Sequence, residues 1–328
     1  MRSHFSKVAI VLLLCVMLVP VQAQIKKVGQ TGLQFLKIEM APRSAAMGGA
    51  ATLTGDDATA MFSNPAGLAL GEERIDVFAG YVPWFADITY NAIAAKVSFG
   101  KIGTFGVHYI GADYGDDMIG TRYANTESGF IETGNVEVGA YAMGLSYARS
   151  LTDKFSIGVQ AKQTYQHLGE NLMADSTLEE NEVSGMAFDF GTIFVPGYKS
   201  LRFGMSIRNF AADYKYQDES FSLPLEFRMG LAMDVLDFLG EHANPLLVEI
   251  DVVHPRDYTE RLNIGAEYLL NGMFAFRAGY RFNYDIEGLT FGVGTNLDIG
   301  PTKVRVDYAW ADMGVFNMTN RIAVGFSF

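Results

Sequence analysis

Cysteine is almost missing from this chain: of 328 residues one is cysteine, Cys15. It lies in an apolar run at residues 8–19, preceded by Arg2, His4 and Lys7 and followed by Pro20 and Val21-Gln22-Ala23. That order of charge, grease and small residue reads as a Sec signal peptide over residues 1–23. Leu14 is not the small residue that a lipoprotein signal carries before its cysteine. Beyond Ala23 the chain has no thiol, which excludes disulfides, cysteine-ligated metals and thiol catalysis. Positive charge is also scarce, with 25 Lys and Arg against 37 Asp and Glu, a net of −12. Without Arg2 and Lys7 the balance becomes 23 against 37, or −14, which argues against nucleic acid as a partner and against electrostatic capture by an anionic membrane surface. Long apolar runs are lacking too: no stretch after Ala23 reaches the roughly 18 residues of a membrane helix. A chain that is 49% hydrophobic and 13% aromatic without such a stretch is either a soluble β protein or an outer-membrane barrel.

From residue 75 onward the apolar pattern repeats every second residue. Strands are expected at about 75–82, 87–99, 103–111, 136–149, 155–167, 184–195, 201–209, 225–235, 246–254, 260–269, 273–283, 288–297, 302–312 and 318–328, fourteen in all. Phe155, Ile157 and Val159 alternate with Ser156, Gly158 and Gln160, and Phe274, Phe276 and Tyr280 with Ala275, Arg277 and Arg281. An arginine on the lipid face near mid-bilayer costs roughly 2–4 kcal/mol. Arg228, Arg277, Arg281, Arg305, Asp307, Glu249 and Asp251 are therefore expected to face the lumen, as a solute-selecting set or as ion pairs across a filled interior. The even connections (100–102, 150–154, 196–200, 240–244, 271–272, 298–301) are short, whereas 112–135, 168–183 and 210–224 are long. Short turns at one rim and long loops at the other are the outer-membrane pattern, with periplasm below and cell exterior above. Both ends of the chain are then expected in the periplasm. Phe326 and Phe328 close a last alternating strand that resembles the terminal signal read by the barrel-assembly machinery.

Residues 41–70, APRSAAMGGAATLTGDDATAMFSNPAGLAL, break this pattern. Small residues allow close backbone packing, Asp56 is a candidate N-cap for a turn or two through Phe62, and Asn64-Pro65-Ala66-Gly67 is expected to stop any helix. The expected organisation is a signal peptide at 1–23, a small plug with short helices at 24–74, and an all-β, fourteen-stranded antiparallel outer-membrane barrel at 75–328.

Catalytic and metal motifs are not apparent. No Walker loop, HExxH, GxSxG or EF-hand loop occurs, and Gly292-Val293-Gly294 lacks the third glycine of a dinucleotide fingerprint. His108, His167, His242 and His254 are scattered, although a His and Ser pair of the kind that outer-membrane phospholipases use stays open. No enzyme activity, cofactor or metal is expected. Asp113, Asp116, Asp117, Glu127 and Glu132 in one long loop, and Glu170, Asp175, Glu179, Glu180 and Glu182 in the next, form either a partner or cation surface or a solvated outer rim.

Phe35-Leu36-Lys37-Ile38, the run from Ala41 through Met47, Gly48 and Gly49 to Ala50, Gly55-Asp56-Asp57-Ala58 and Asn64-Pro65-Ala66-Gly67-Leu68 together resemble the N-terminal signature of the PorV/PorQ family, which is related to FadL-type barrels. The resemblance implies a fourteen-stranded barrel with an N-terminal segment folded into the lumen. It implies one of two functions. One is a non-enzymatic component of type IX secretion and surface attachment, with secreted cargo and other secretion components as partners besides outer-membrane lipids. The other is a FadL-like channel for hydrophobic compounds, for which Leu168, Leu172, Met173, Phe210 and Phe221 are the apolar loop residues at hand. Arg43, Asp56, Asp57, Asn64 and Pro65 are expected to act as plug contacts to the lumen wall, with Arg43 paired to Glu249 or Asp251.

Overall fold

The computed structural model describes residues 29–115, 118–172, 177–240 and 242–328. The expected signal peptide lies outside the described residues. Eighteen strands follow in order: β1 (Ile75–Pro83), β2 (Thr89–Ser98), β3 (Thr104–Asp113), β4 (Ile119–Tyr123), β5 (Phe130–Asn135), β6 (Gly139–Thr152), β7 (Phe155–Leu172), β8 (Leu178–Phe194), β9 (Arg202–Phe210), β10 (Tyr214–Lys215), β11 (Ser220–Phe221), β12 (Glu226–Asp234), β13 (Leu246–Pro255), β14 (Arg261–Leu270), β15 (Phe274–Phe282), β16 (Leu289–Ile299), β17 (Thr302–Asp312) and β18 (Met318–Ser327). Fourteen of them close an antiparallel barrel, each paired with its chain neighbour and β1 pairing with β18. Closure is in register from Asp76 opposite Ser327 to Tyr81 opposite Ile322. Ile75 and Phe328 exchange backbone hydrogen bonds at 3.1 and 2.9 Å, so the last residue completes the seam and leaves no free strand edge there. No helix among the described residues is long and apolar enough to cross a membrane.

The long-loop rim differs from the expectation of plain loops. β7 and β8 run on past the barrel as a paired ribbon to Leu172 and Leu178, β4 and β5 form a separate exposed hairpin, and β10 and β11 form a two-stranded piece. Exposed, acidic residues can still pair through their backbones, which the composition of these segments does not reveal. Asp116, Asp117 and Asp175 lie outside the described residues; Asp113, Glu127 and Glu132 are exposed.

Strand parity separates the two faces. Phe274, Phe276, Tyr280, Phe291, Val293, Val306 and Tyr308 are exposed on the outside, where lipid replaces water, whereas Arg228, Glu249, Asp251, Arg277 and Arg281 are buried inside. Arg305 and Asp307 also point inward and are half-buried. Phe326 and Phe328 lie on the outer face.

The lumen is filled by residues 29–74. Here the chain makes one short α-helix, α1 (Pro42–Ala46), and 3-10 turns at Gln34–Lys37, Ala58–Phe62 and Pro65–Ala69. Proline begins α1 and the last of these turns, where its missing N–H removes nothing. The N-cap of Ala58–Phe62 is Asp57, which accepts from Thr59 N, and not Asp56, whose side chain is more than half exposed. The Ala58–Phe62 turn ends at Ser63, directly before Asn64-Pro65-Ala66-Gly67, as expected of that sequence. Asn64 also starts the next turn, capping Pro65–Ala69 by accepting from Ala66 N.

The wall receives this segment on inward glycines. An added Cβ at Gly279 would come within 2.1 Å of Gly48 N, at Gly158 within 2.3 Å of Ala66 N, and at Gly265 within 2.5 Å of Met47. Backbone thus lies directly on backbone, and the small residues of the plug (Ala45, Ala46, Ala58, Ala60 and Ala66, all fully buried) continue the same close approach. Gly279→Ala should push the plug off the wall and destabilise the folded barrel by about 1–3 kcal/mol, read as a lower temperature of the mobility shift between folded and unfolded forms in detergent gels. Gly139→Ala, where a Cβ meets nothing within 4 Å, should leave that temperature unchanged.

Candidate functional site: the plug, its ion pairs and the vestibule beneath it

An irregular segment inside a barrel leaves many backbone groups without partners, and each must find one in the wall. Asp251 Oδ2 accepts from Ala51 N (3.0 Å), Thr52 N (3.1 Å) and Thr52 Oγ1 (2.7 Å), and Glu249 Oε1 accepts from Leu53 N (2.7 Å). Thr290 Oγ1 accepts from Gly48 N (2.9 Å) and donates to Ala46 O (2.8 Å). Arg228 donates to Gly49 O, and Arg321 to Glu39 O. Glu249 and Asp251 are therefore bound to plug backbone and not to Arg43, the partner expected for them.

Arg43 reaches Glu267 instead. Its Nε and Nη2 bind the two carboxylate oxygens at 2.9 and 2.6 Å, while Nη1 donates to Thr54 O and lies 3.5 Å from Asp56. This two-pronged contact is the strong form of an arginine–carboxylate pair. Glu267 is shared with Arg277, which also binds Asp307, so a chain of four charges runs from the plug into β14, β15 and β17. A second group joins plug to wall beside it: Asp76 accepts from Ala58 N (2.8 Å), Arg305 Nη2 (2.7 Å) and Ser327 Oγ (2.6 Å), Arg305 Nη1 lies 3.4 Å from Asp57, and Lys96 donates to Asp56 O at 2.7 Å. Asn64, besides capping, donates to Thr52 O at 2.8 Å and Thr192 O at 3.3 Å. Arg281 pairs with Glu287 near the long-loop rim, away from this cluster.

Several residues that hold the plug lay outside the sequence reading, among them Glu39, Asp76, Lys96, Asp257, Glu267, Thr290 and Arg321. Glu39 binds Arg228 at 2.9 Å and accepts from Ser44 Oγ at 3.0 Å, and Asp257 takes Lys37 and Thr31 at 2.9 and 2.7 Å. Glu267 and Lys96 were legible in principle, because strand parity puts Glu267 on the face of Asn263 and Gly265, and the Asn271-Gly272 turn sets it opposite Arg277.

Between the plug and the short-turn rim lies a cavity of about 740 Å³. Arg43, Asp57, Lys96, Glu267, Arg277 and Arg305 are among its lining residues, and Glu72, Glu73 and Lys303 stand at its mouth. On the other side of the plug the lumen is filled by the plug itself: Leu33, Phe35, Leu36 and Met40 pack with Phe62, Phe78, Tyr90, Ile110 and Leu223, beside buried ion pairs of Lys162 with Asp189 and of Arg208 and Arg228 with Glu226. Of the apolar loop residues, Phe221 packs on Tyr214 and Tyr216 while Leu168 and Phe210 are exposed, so the described ones form no continuous groove; Met173 lies outside the described residues.

The charges have measurable consequences. Burial opposes ionisation of Glu39, but Arg228, Arg208 and Arg281 bring it from the ordinary 4.5 down to about 2. Depressed in the folded state, it contributes stability that is present above pH 4.5 and is lost as pH falls toward 2. Acid titration of the unfolding temperature should show that decline, and Glu39→Gln should flatten it. Arg43→Ala leaves Glu267 to Arg277 alone and should cost about 1–3 kcal/mol of barrel stability. In a double-mutant cycle, Arg43→Ala and Glu267→Gln should be non-additive, whereas Arg43→Ala and Glu249→Gln should add.

Two toluene transporters of known structure share the fold. TodX of Pseudomonas putida superposes with a TM-score of 0.59 at 12% identity, over 88% of this chain and 98% of that one. TbuX of Ralstonia pickettii gives 0.54 at 16% identity, over 88% and 97%. No curated protein matches the sequence significantly. At such identities the likeness speaks for the outer-membrane barrel and no further. Residues 112–328, two thirds of the chain and eleven of its fourteen barrel strands in full, match the family model of the type IX secretion system membrane protein PorP/SprF. The N-terminal likeness to PorV/PorQ falls before this span and is not carried by it, whereas the type IX secretion setting is. The chain belongs to the PorP/SprF family of type IX secretion system membrane proteins, an outer-membrane barrel by fold.

Proposed function

We propose that this protein is a non-enzymatic part of type IX secretion that engages exported proteins or other secretion components at the plug and at the vestibule beneath it. The short-turn rim, where both ends of the barrel meet, would then face the periplasm, and the ribbon of β7 and β8 the cell exterior. The carrying observation is the character of the space. The cavity of about 740 Å³ is lined by charges of both signs and opens at the short-turn rim. A protein segment, with its own charges and amide groups, suits such a lining; a hydrocarbon does not. The N-terminal signature at residues 35–68, resembling PorV/PorQ, fits the same setting, since it supplies the plug that forms the roof of that cavity.

The second reading, uptake of hydrophobic compounds, is favoured by the fold shared with TodX and TbuX. Against it stands the filling of the long-loop half of the lumen, where Leu33, Phe35, Leu36 and Met40 already take up the space beside buried ion pairs such as Lys162 with Asp189.

A mild-detergent pull-down of the tagged protein from its native outer membrane separates the two. Exported proteins that share a common C-terminal domain, or other secretion components, should co-purify, and Arg43→Ala should change their yield relative to the barrel. A protein that emerges alone with fatty or aromatic molecules bound would make the transport reading correct.

A further inference from the structure

The turn between β12 and β13 is the longest at the short-turn rim, spanning 235–245, and it carries a group that the plug does not use. Asp234 ends β12, Asp237 lies in the 3-10 turn Val235–Phe238, and His242 follows before β13. Their ligand atoms converge: His242 Nε2 lies 3.3 Å from Asp234 Oδ2 and 3.7 Å from Asp237 Oδ1. Among the described residues this is the one place where three such atoms come together, all within 4.8 Å.

A tetrahedral ion with bonds of about 2.0–2.2 Å holds its ligand atoms roughly 3.3–3.6 Å apart. The His242–Asp234 distance of 3.3 Å falls in that range and the His242–Asp237 distance of 3.7 Å just above it, spacings at which a small shift of the side chains would seat an ion between them.

Each carboxylate is also oriented from outside the group, with one oxygen spent and the other left for the centre. Asp234 Oδ1 accepts from Leu236 N and Leu246 N, both at 3.0 Å. Asp237 Oδ2 accepts from Ser200 N at 3.0 Å and from Ser200 Oγ. Asp234 is only 9% exposed, and its Oδ2 faces His242. Outer hydrogen bonds that fix first ligands in this way are the usual support of a metal site. Lys199 donates to the main-chain carbonyl of Asp237.

We propose that Asp234, Asp237 and His242 bind one divalent transition-metal ion of the zinc class, with a fourth position open to water or to a partner's donor group. An imidazole nitrogen beside two carboxylate oxygens suits zinc and its neighbours, whereas calcium and magnesium favour oxygen throughout. Bound there, the ion pins the 235–245 turn to the neighbouring 196–201 turn through Asp237 and Ser200, and so stiffens one side of the rim around the vestibule.

The test uses the mature protein in detergent, carrying a tag without histidine, stripped with EDTA and titrated with Co2+. Saturation at one equivalent, with the visible bands of a tetrahedral site and their loss on adding Zn2+, is expected. His242→Gln and Asp237→Asn should each weaken binding at least ~10-fold, while His254→Gln leaves it unchanged. Heat-modifiable mobility in gels checks that the variants are folded. X-ray absorption on the wild-type zinc form should count one nitrogen and two protein oxygens, and serves even where a variant does not fold. No saturable Co2+ binding, binding that survives His242→Gln, or a spectrum without a nitrogen ligand would overturn the proposal.

Discussion

A polar segment placed inside a closed barrel must have its backbone donors and acceptors satisfied, and this requirement organises the molecule. Residues 46–58 are mostly irregular, so beyond the turn bonds made by the amides of Met47 to Ala50 much of their hydrogen bonding is with the wall. The wall supplies carboxylates at Glu249, Asp251 and Asp76, a hydroxyl at Thr290 and cations at Arg228 and Lys96, each directed at a particular main-chain atom. Inward charge, which a barrel facing lipid must hide in any case, thereby acquires a structural use.

The same requirement explains the glycines. Main-chain hydrogen bonds and wall contacts need the two backbones to touch, and a Cβ at Gly279 or Gly158 would hold them apart. Composition on the two sides of the interface is therefore matched: alanine and glycine in the plug, glycine at inward positions of the wall. Large side chains appear where the plug leaves the wall, at Leu33, Phe35 and Leu36, and there the filling is apolar.

Much of this was legible in the sequence, for a physical reason. Period-two alternation is a property of each strand alone, so all fourteen barrel strands and the inward set Arg228, Arg277, Arg281, Glu249 and Asp251 could be read locally. Partners could not. Arg43 had several lumen carboxylates within reach by any sequence count, and the choice of Glu267 depends on how α1 is turned against β14, which is a tertiary fact. The cap at Asp57 instead of Asp56 is a one-residue matter decided by Arg305 and Thr59, both contacts of the folded state. The paired ribbon of β7 and β8 beyond the barrel was hidden for the opposite reason: its acidic residues suggested a solvated loop, yet exposed, acidic residues still pair through their backbones.

The division of the lumen bears on the proposed role. In this chain the plug separates a compartment that its own side chains fill, beside buried ion pairs, from a charged one that stays open. An apolar solute entering from the long-loop rim would have to displace Phe35 and its neighbours, whose burial is worth about 1.5–3 kcal/mol for each large side chain. A charged segment arriving at the short-turn rim would enter an open space, and meets Arg43, Glu267 and Arg277 already paired, so that it could exchange one ion pair for another. Exchange of this kind would act directly on the contacts that seat the plug, because Arg43 is at once a wall of the vestibule and the plug's hold on β14. Occupancy of the open compartment and seating of the plug are thus coupled through one guanidinium.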